Sequence, residues 1–215
     1  MAVKVIKRDV IGDLVLDEAD TTWKLLEDVL VYGQVRSSGT PGVTLLIDGI
    51  VSSSDDIGFD IESDRSTVSI GQTGRVAVEK MSFSGDDALL RNNGQLISVQ
   101  GIDMSGDNAR FINNATIDEA FKILFSGDAS TFVNGIDGVV SDQIEADTEA
   151  GETTTIVNHG RIDGPIFFAG DGAADIVSDG SLNRTVQTGG GDDDLDLRNG
   201  SFSGSIRTLG GTDTI

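Results

Sequence analysis

The chain has 215 residues, with 36 Asp plus Glu against 15 Lys plus Arg, a formal charge of −21 and a pI near 4.1. This balance excludes nucleic acid and anionic membrane as partners, because both are held through cationic side chains. Cysteine is absent, which removes disulfide and thiolate-metal frameworks, and no 18-residue apolar stretch exists for membrane insertion.

In chain order, residues 1–20 are basic near the start but lack the uninterrupted apolar run of a cleaved signal peptide. They are expected to cap the apolar end of the fold that follows. Leu25-Leu26-Glu27-Asp28-Val29-Leu30 can be read as helical, with apolar residues at i, i+1, i+4 and i+5. An alignment at a step of about 20 favours a first coil instead, placing Trp23, Leu25, Leu26, Asp28 and Leu30 over Val43, Leu45, Leu46, Asp48 and Ile50.

From residue 48 onward two turn series run in phase. The first ends in glycine: Asp48-Gly49, Thr73-Gly74, Asn93-Gly94, Asn134-Gly135, His159-Gly160, Asp179-Gly180 and Asn199-Gly200, with Asn114-Ala115 as an imperfect member. Most steps are about 20 or 21 residues, and two longer steps read as loop insertions of about five residues. Asn and Asp tolerate the positive φ that such corners need. The second series begins with glycine: Gly85-Asp86-Asp87, Gly106-Asp107-Asn108, Gly127-Asp128-Ala129, Gly151-Glu152-Thr153, Gly172-Ala173-Ala174, Gly191-Asp192-Asp193 and Gly211-Thr212-Asp213.

Between the corners, apolar residues recur at even spacing and so share one face of a strand. Leu96, Ile117, Ile162, Leu182 and Phe202 form one set, and Phe121, Ile166, Val186 and Ile206 the next. Leu89-Leu90, Phe111-Ile112, Ile156-Val157, Ile176-Val177 and Leu195-Leu197 supply the preceding strand. One such coil cannot bury its apolar side alone, whereas stacking buries it against the next. A β-sandwich also has short strands and frequent turns, but it does not make equivalent residues recur at a fixed period. The expected fold class is all-β, a single-stranded parallel β-helix (β-solenoid) of about 9–10 coils of 20–21 residues, giving a rod roughly 45 Å long. The cap is residues 1–20 and the solenoid residues 21–215. The sequence stops at Leu209-Gly210-Gly211-Thr212-Asp213-Thr214-Ile215 as another coil should begin, which implies either a longer natural chain or an open edge that self-associates head-to-tail.

The run Thr188-Gly189-Gly190-Gly191-Asp192-Asp193-Asp194-Leu195-Asp196 resembles the G-G-x-G-x-D-x-U-x nonapeptide of the RTX, or haemolysin-type, calcium-binding family. Gly189, Gly191, Asp193 and Leu195 fall on the motif; Gly211, Asp213 and Ile215 match one coil later, and Gly170, Gly172 and Ile176 one coil earlier. The resemblance covers residues 170–215, as RTX-like coils. It implies calcium at glycine-rich turns, with Gly189, Gly191, Asp192, Asp193, Gly211 and Asp213 as the metal-site residues, and type I export to the cell surface or the extracellular space without a cleaved signal peptide. The rest of the chain is similar to the β-helix repeats of bacterial surface proteins and adhesins. It departs from the family in showing the motif once per long coil rather than in tandem.

The charge pattern independently favours a cation. Stacking puts Asp86, Asp107 and Asp128 in one column, where like charges about 4.8 Å apart repel by about 1 kcal/mol in water. Calcium takes six to eight oxygens and would reverse that penalty. Salt-screened turn aspartates are the plain alternative.

Catalysis has little to stand on. His159 and Tyr32 are each the sole residue of their type and fall about six coils apart, roughly 29 Å, too far to act as a pair. His159 occupies a corner position held elsewhere by Asn or Asp. No G-x-S-x-G elbow surrounds a serine, and Arg161, Arg184 and Arg198 do not share one position relative to their corners. The expected function is a non-enzymatic, secreted, calcium-binding structural or interaction module, such as a surface layer, matrix, fibre or adhesin, with a cell-surface glycan or protein as a further partner. The competing reading is a carbohydrate-active β-helix, a polysaccharide lyase or epimerase module.

Overall fold

The computed structural model describes residues 2–118 and 121–215. The chain winds into a parallel β-solenoid of about ten turns, with no helix among the described residues. The period of two along each strand sends alternate side chains inward, and each rung can bury them only against the rungs above and below it.

One face is a ten-stranded parallel sheet built from Ala2–Ile6, Thr21–Leu25, Thr44–Ile47, Thr67–Ile70, Leu89–Asn92, Arg110–Asn113, Thr131–Asn134, Thr153–Asn158, Ala173–Ser178 and Asp194–Asp196, in that order. Two more short strands complete a rung, as Arg161–Ile162 and Ile166–Gly170 do after Thr153–Asn158. In Arg75–Phe83 and Gln95–Met104 these two strands merge, with an irregular register between Val78 and Lys80.

Inward columns of side chains fill the interior. Leu90, Phe111, Phe132, Ile156, Ile176 and Leu195 stack on the first face. Leu96, Ile117, Val140, Ile162, Leu182 and Phe202 form the second column. Ile102, Ile123, Ile144, Ile166, Val186 and Ile206 form the third. Phe83, Met104, Phe125, Ala146 and Phe168 form a fourth; Phe132 meets Phe111 of its own column edge-on at 5.3 Å between centroids and Phe125 of the fourth at 6.1 Å. Each fully buried side chain of this kind contributes about 1.5–3 kcal/mol of transfer free energy.

Several expectations are corrected in detail. Residues 1–20, expected as a cap, contain a rung of their own: Ala2–Ile6 pairs in register with Thr21–Leu25, Val10–Ile11 with Val31–Tyr32, and Leu14–Val15 with Val35–Arg36. The next alignment is not uniform either. Trp23 lies over Leu45 and Leu25 over Ile47, whereas Leu30 lies over Ile50, so the extra residues sit in the corner between the two strands. The two long steps are likewise shared among corners: Ile47 pairs with Ile70 but Ile50 with Arg75, and Asn134 pairs with Asn158 but Val139 with Arg161. Phe121 is 73% exposed and the inward position belongs to Ile123. Thr153, not Glu152, stands in register with Ala173.

Candidate metal centre

The corner that leads into the ten-stranded sheet carries acidic residues at two heights of the stack, and they differ in how the carboxylates are satisfied. At the first, Asp86, Asp107 and Asp128 form the column expected from the period, and Asp64 extends it by one rung. Each carboxylate accepts a backbone N–H from the rung above: Asp86 N to Asp64 Oδ1 at 3.1 Å, Asp107 N to Asp86 Oδ1 at 3.0 Å, Asp128 N to Asp107 Oδ1 at 3.0 Å and Thr153 N to Asp128 Oδ1 at 3.3 Å. Charge-assisted bonds of this kind offset the mutual repulsion of the column without a cation. The following positions, Arg65, Asp87, Asn108 and Ala129, all have φ between 52° and 56°. Asp and Asn are favoured there because their short polar side chains tolerate the left-handed region. Glycine at 106 is required by proximity, since a Cβ there would lie 2.1 Å from the Gly85 carbonyl oxygen.

The second height, on the last rungs of the same corner, holds the six residues that the motif resemblance implies for metal. Gly191 and Gly211 stack so closely on Gly172 and Gly191 that an added Cβ would meet the carbonyl oxygen below at 2.5 and 2.1 Å. Gly189 packs over Gly170 in the same way. The turn just before the strand Asp194–Asp196 sends the two neighbouring aspartates to opposite sides. Asp192 faces solvent and its Oδ1 accepts the Thr212 N–H at 2.7 Å. Asp193 turns inward and is 2% exposed. Its Oδ1 accepts the Ala174 N–H at 2.9 Å, while its Oδ2 is buried with no hydrogen-bond partner. Asp213 continues the column one rung on, accepting the Asp193 N–H at 3.3 Å. The six residues therefore do not converge as a set: Asp193 and Asp213 share a column and Asp192 stands outside it.

A buried carboxylate oxygen without a partner is costly. Thr188, at the other side of the same turn, is also buried with an unpaired Oγ1, as are Thr148 and Thr154 two rungs earlier. No group of three or more His, Cys, Asp or Glu side chains converges among the described residues. The unpaired buried oxygens of this turn are Asp193 Oδ2 and Thr188 Oγ1, and oxygen donors suit a hard cation such as calcium better than zinc. A bound calcium would supply charge neutralisation at Asp193 and a tie between rungs.

Other charged groups are engaged locally. Arg161 donates Nε to Asp163 Oδ1 at 2.8 Å and places Nη2 2.7 Å from Oδ2; this pairing and an Asn183 hydrogen bond hold the Asp163 carboxyl below its ordinary value. Arg198 grips Asp196 in the same way and lowers it to about 2. His159 Nδ1 lies 2.7 Å from Asp179 Oδ1 on the exposed corner. Tyr32 is on the second rung and His159 follows the strand Thr153–Asn158 of the eighth. Asp175 and Asp194 face each other across adjacent strands; burial first, and the Asp194 charge second, push the Asp175 carboxyl up.

A buried ladder of asparagines escaped the sequence reading. Asn92 donates to Asn113, Asn113 to Asn134 and Asn134 to Asn158, each Nδ2 to Oδ1 at 2.9 Å, and Asn158 donates to Ser178 Oγ at 3.0 Å. The expected column of Asn93, Asn114 and Asn134 splits: Asn93 and Asn114 bond to each other outside, while Asn134 belongs to the inner ladder and Gly135 takes the outer place. The available signal was the doubled Asn92-Asn93 and Asn113-Asn114, whose first members end their strands.

No family model, no curated protein and no solved structure matches the chain.

Proposed function

We propose that this chain is an extracellular or cell-surface scaffold, an acidic β-solenoid that binds calcium at the corner centred on Asp193 and works as a structural or interaction module rather than as a catalyst. The observation that carries the reading is the Asp193 carboxylate, 2% exposed with one oxygen unpaired, in a turn of close-packed glycines. A cation there converts an uncompensated buried charge into an inter-rung link. A single buried carboxylate makes a weak site, in the range used by extracellular calcium modules. The rigid stack, the −21 charge and the local pairing of Arg161 and Arg198 with carboxylates fit a scaffold better than a uronate-binding catalytic cleft.

Thermal melting with calcium, magnesium or chelator tests this. At a calcium concentration about a hundredfold above Kd, the midpoint is expected to rise by roughly 5–10 °C. Asp193→Asn, which keeps an oxygen for the Ala174 amide, removes that rise, and Asp192→Asn retains it. Equal responses to calcium and magnesium, or an undiminished response in Asp193→Asn, would refute the site.

A further inference from the structure

A groove of about 680 Å³ runs beside this corner on the outer surface. Its floor carries Phe167, an outward-facing residue of the strand Ile166–Gly170 that is only half-buried. The same outward row holds Glu145 below it and Gln187 above it, in register on adjacent rungs. Gln143 lies alongside and donates Nε2 to Glu145 Oε2 at 2.8 Å, while Lys122 Nζ approaches the same oxygen at 3.2 Å, so that the carboxylate is held in place. Asp171 and the exposed Leu209 form the remaining walls. Gly190 keeps the groove open toward Asp171, because a Cβ there would lie 2.6 Å from Asp171 Oδ1.

We infer that this groove binds a neutral oligosaccharide, stacked on Phe167 and held through its hydroxyls by Glu145, Asp171, Gln143 and Gln187. An aromatic face carries partial negative charge and receives the electropositive C–H face of a pyranose. Carboxylates and side-chain amides next to it offer paired acceptors and donors of the kind vicinal hydroxyls need. Two carboxylates in the lining of a chain of charge −21 repel uronates and sulfated glycans. The strands that carry Glu145 and Phe167 are paired with a rung on both sides, so they offer no edge to an extended peptide for strand addition. The inference names a partner for the proposed scaffold but does not depend on its calcium.

Isothermal titration in chelator, with neutral α-1,4- and β-1,4-glucose hexasaccharides and a galacturonate hexasaccharide as probes, decides it. Saturable binding of a neutral probe is expected, with none of the uronate. Phe167→Ala is expected to weaken binding about tenfold or more, a loss of one aromatic contact. Phe167→Tyr retains binding, and Gln187→Ala serves as the second variant where Phe167→Ala melts early. Asp193→Asn binds the sugar like the parent chain, so failure of the metal site and failure of the groove are read separately. Absence of saturable binding by either neutral probe, tighter binding of the uronate, or an unchanged affinity in both Phe167→Ala and Gln187→Ala overturns the inference.

Discussion

Asn113 shows how much one inward amide carries. It accepts from Asn92, donates to Asn134 and to the Ala115 carbonyl, and is fully buried. Removing it leaves a donor below and an acceptor above without partners, each worth about 1–3 kcal/mol when buried. Asn113→Ala is expected to cost about 2–4 kcal/mol, read from the urea midpoint. Asn114→Ala removes a single exposed bond to Asn93 and is expected to stay within about 0.5 kcal/mol. The contrast marks a limit of the sequence reading: Asn114, adjacent to the corner, announced the turn, but its neighbour holds the rungs together. Turn chemistry is visible in residue types, whereas the inner amides become visible only once the inward face of each strand is fixed.

At the scale of the strand, register follows the inward alternation and not the corner landmarks. Ile123, rather than Phe121, meets Ile102 and Ile144 because the strand begins at Lys122. Asn134-Gly135 looks like Asn93-Gly94 in sequence, yet its corner runs on to Gly138 before the next strand starts at Val139. The period and the apolar columns were therefore legible, but the length of each corner was not. The glycine-led corner was legible in the same partial way: residue types marked the stack of Gly172, Gly191 and Gly211, but not that Asp193 turns inward while Asp192 faces solvent. Adjacent strands also create a pH response. Asp175 opposes Asp194, and its folded-state pKa lies above the unfolded one, so its ionisation opposes folding at neutral pH and the penalty is relieved as the pH falls through the folded value. Asp175→Asn is expected to raise the melting midpoint by about 1–2 °C at pH 7, with the difference vanishing near pH 3. A lower midpoint at pH 7 would show that the Asp175 charge is supportive.

Over the whole molecule, the formal charge of −21 is spread along a narrow stack rather than over a sphere. Repulsion between exposed carboxylates is screened once the Debye length falls from about 10 Å at 0.1 M salt toward 3 Å at 1 M. Raising NaCl from 0.05 to 0.5 M is expected to increase the melting midpoint by a few degrees, equally with KCl and also in Asp193→Asn. A decrease would mean that pairs such as Lys80–Asp103 and Lys122–Glu145 outweigh the repulsion. The rung ladder itself has a mechanical consequence. Its hydrogen bonds lie along the long axis, so a bending load is shared by strands on every side, while a pull along the axis opens one rung at a time, as a zipper does. Such a body resists buckling yet yields in small steps under tension, absorbing work without rupturing all at once.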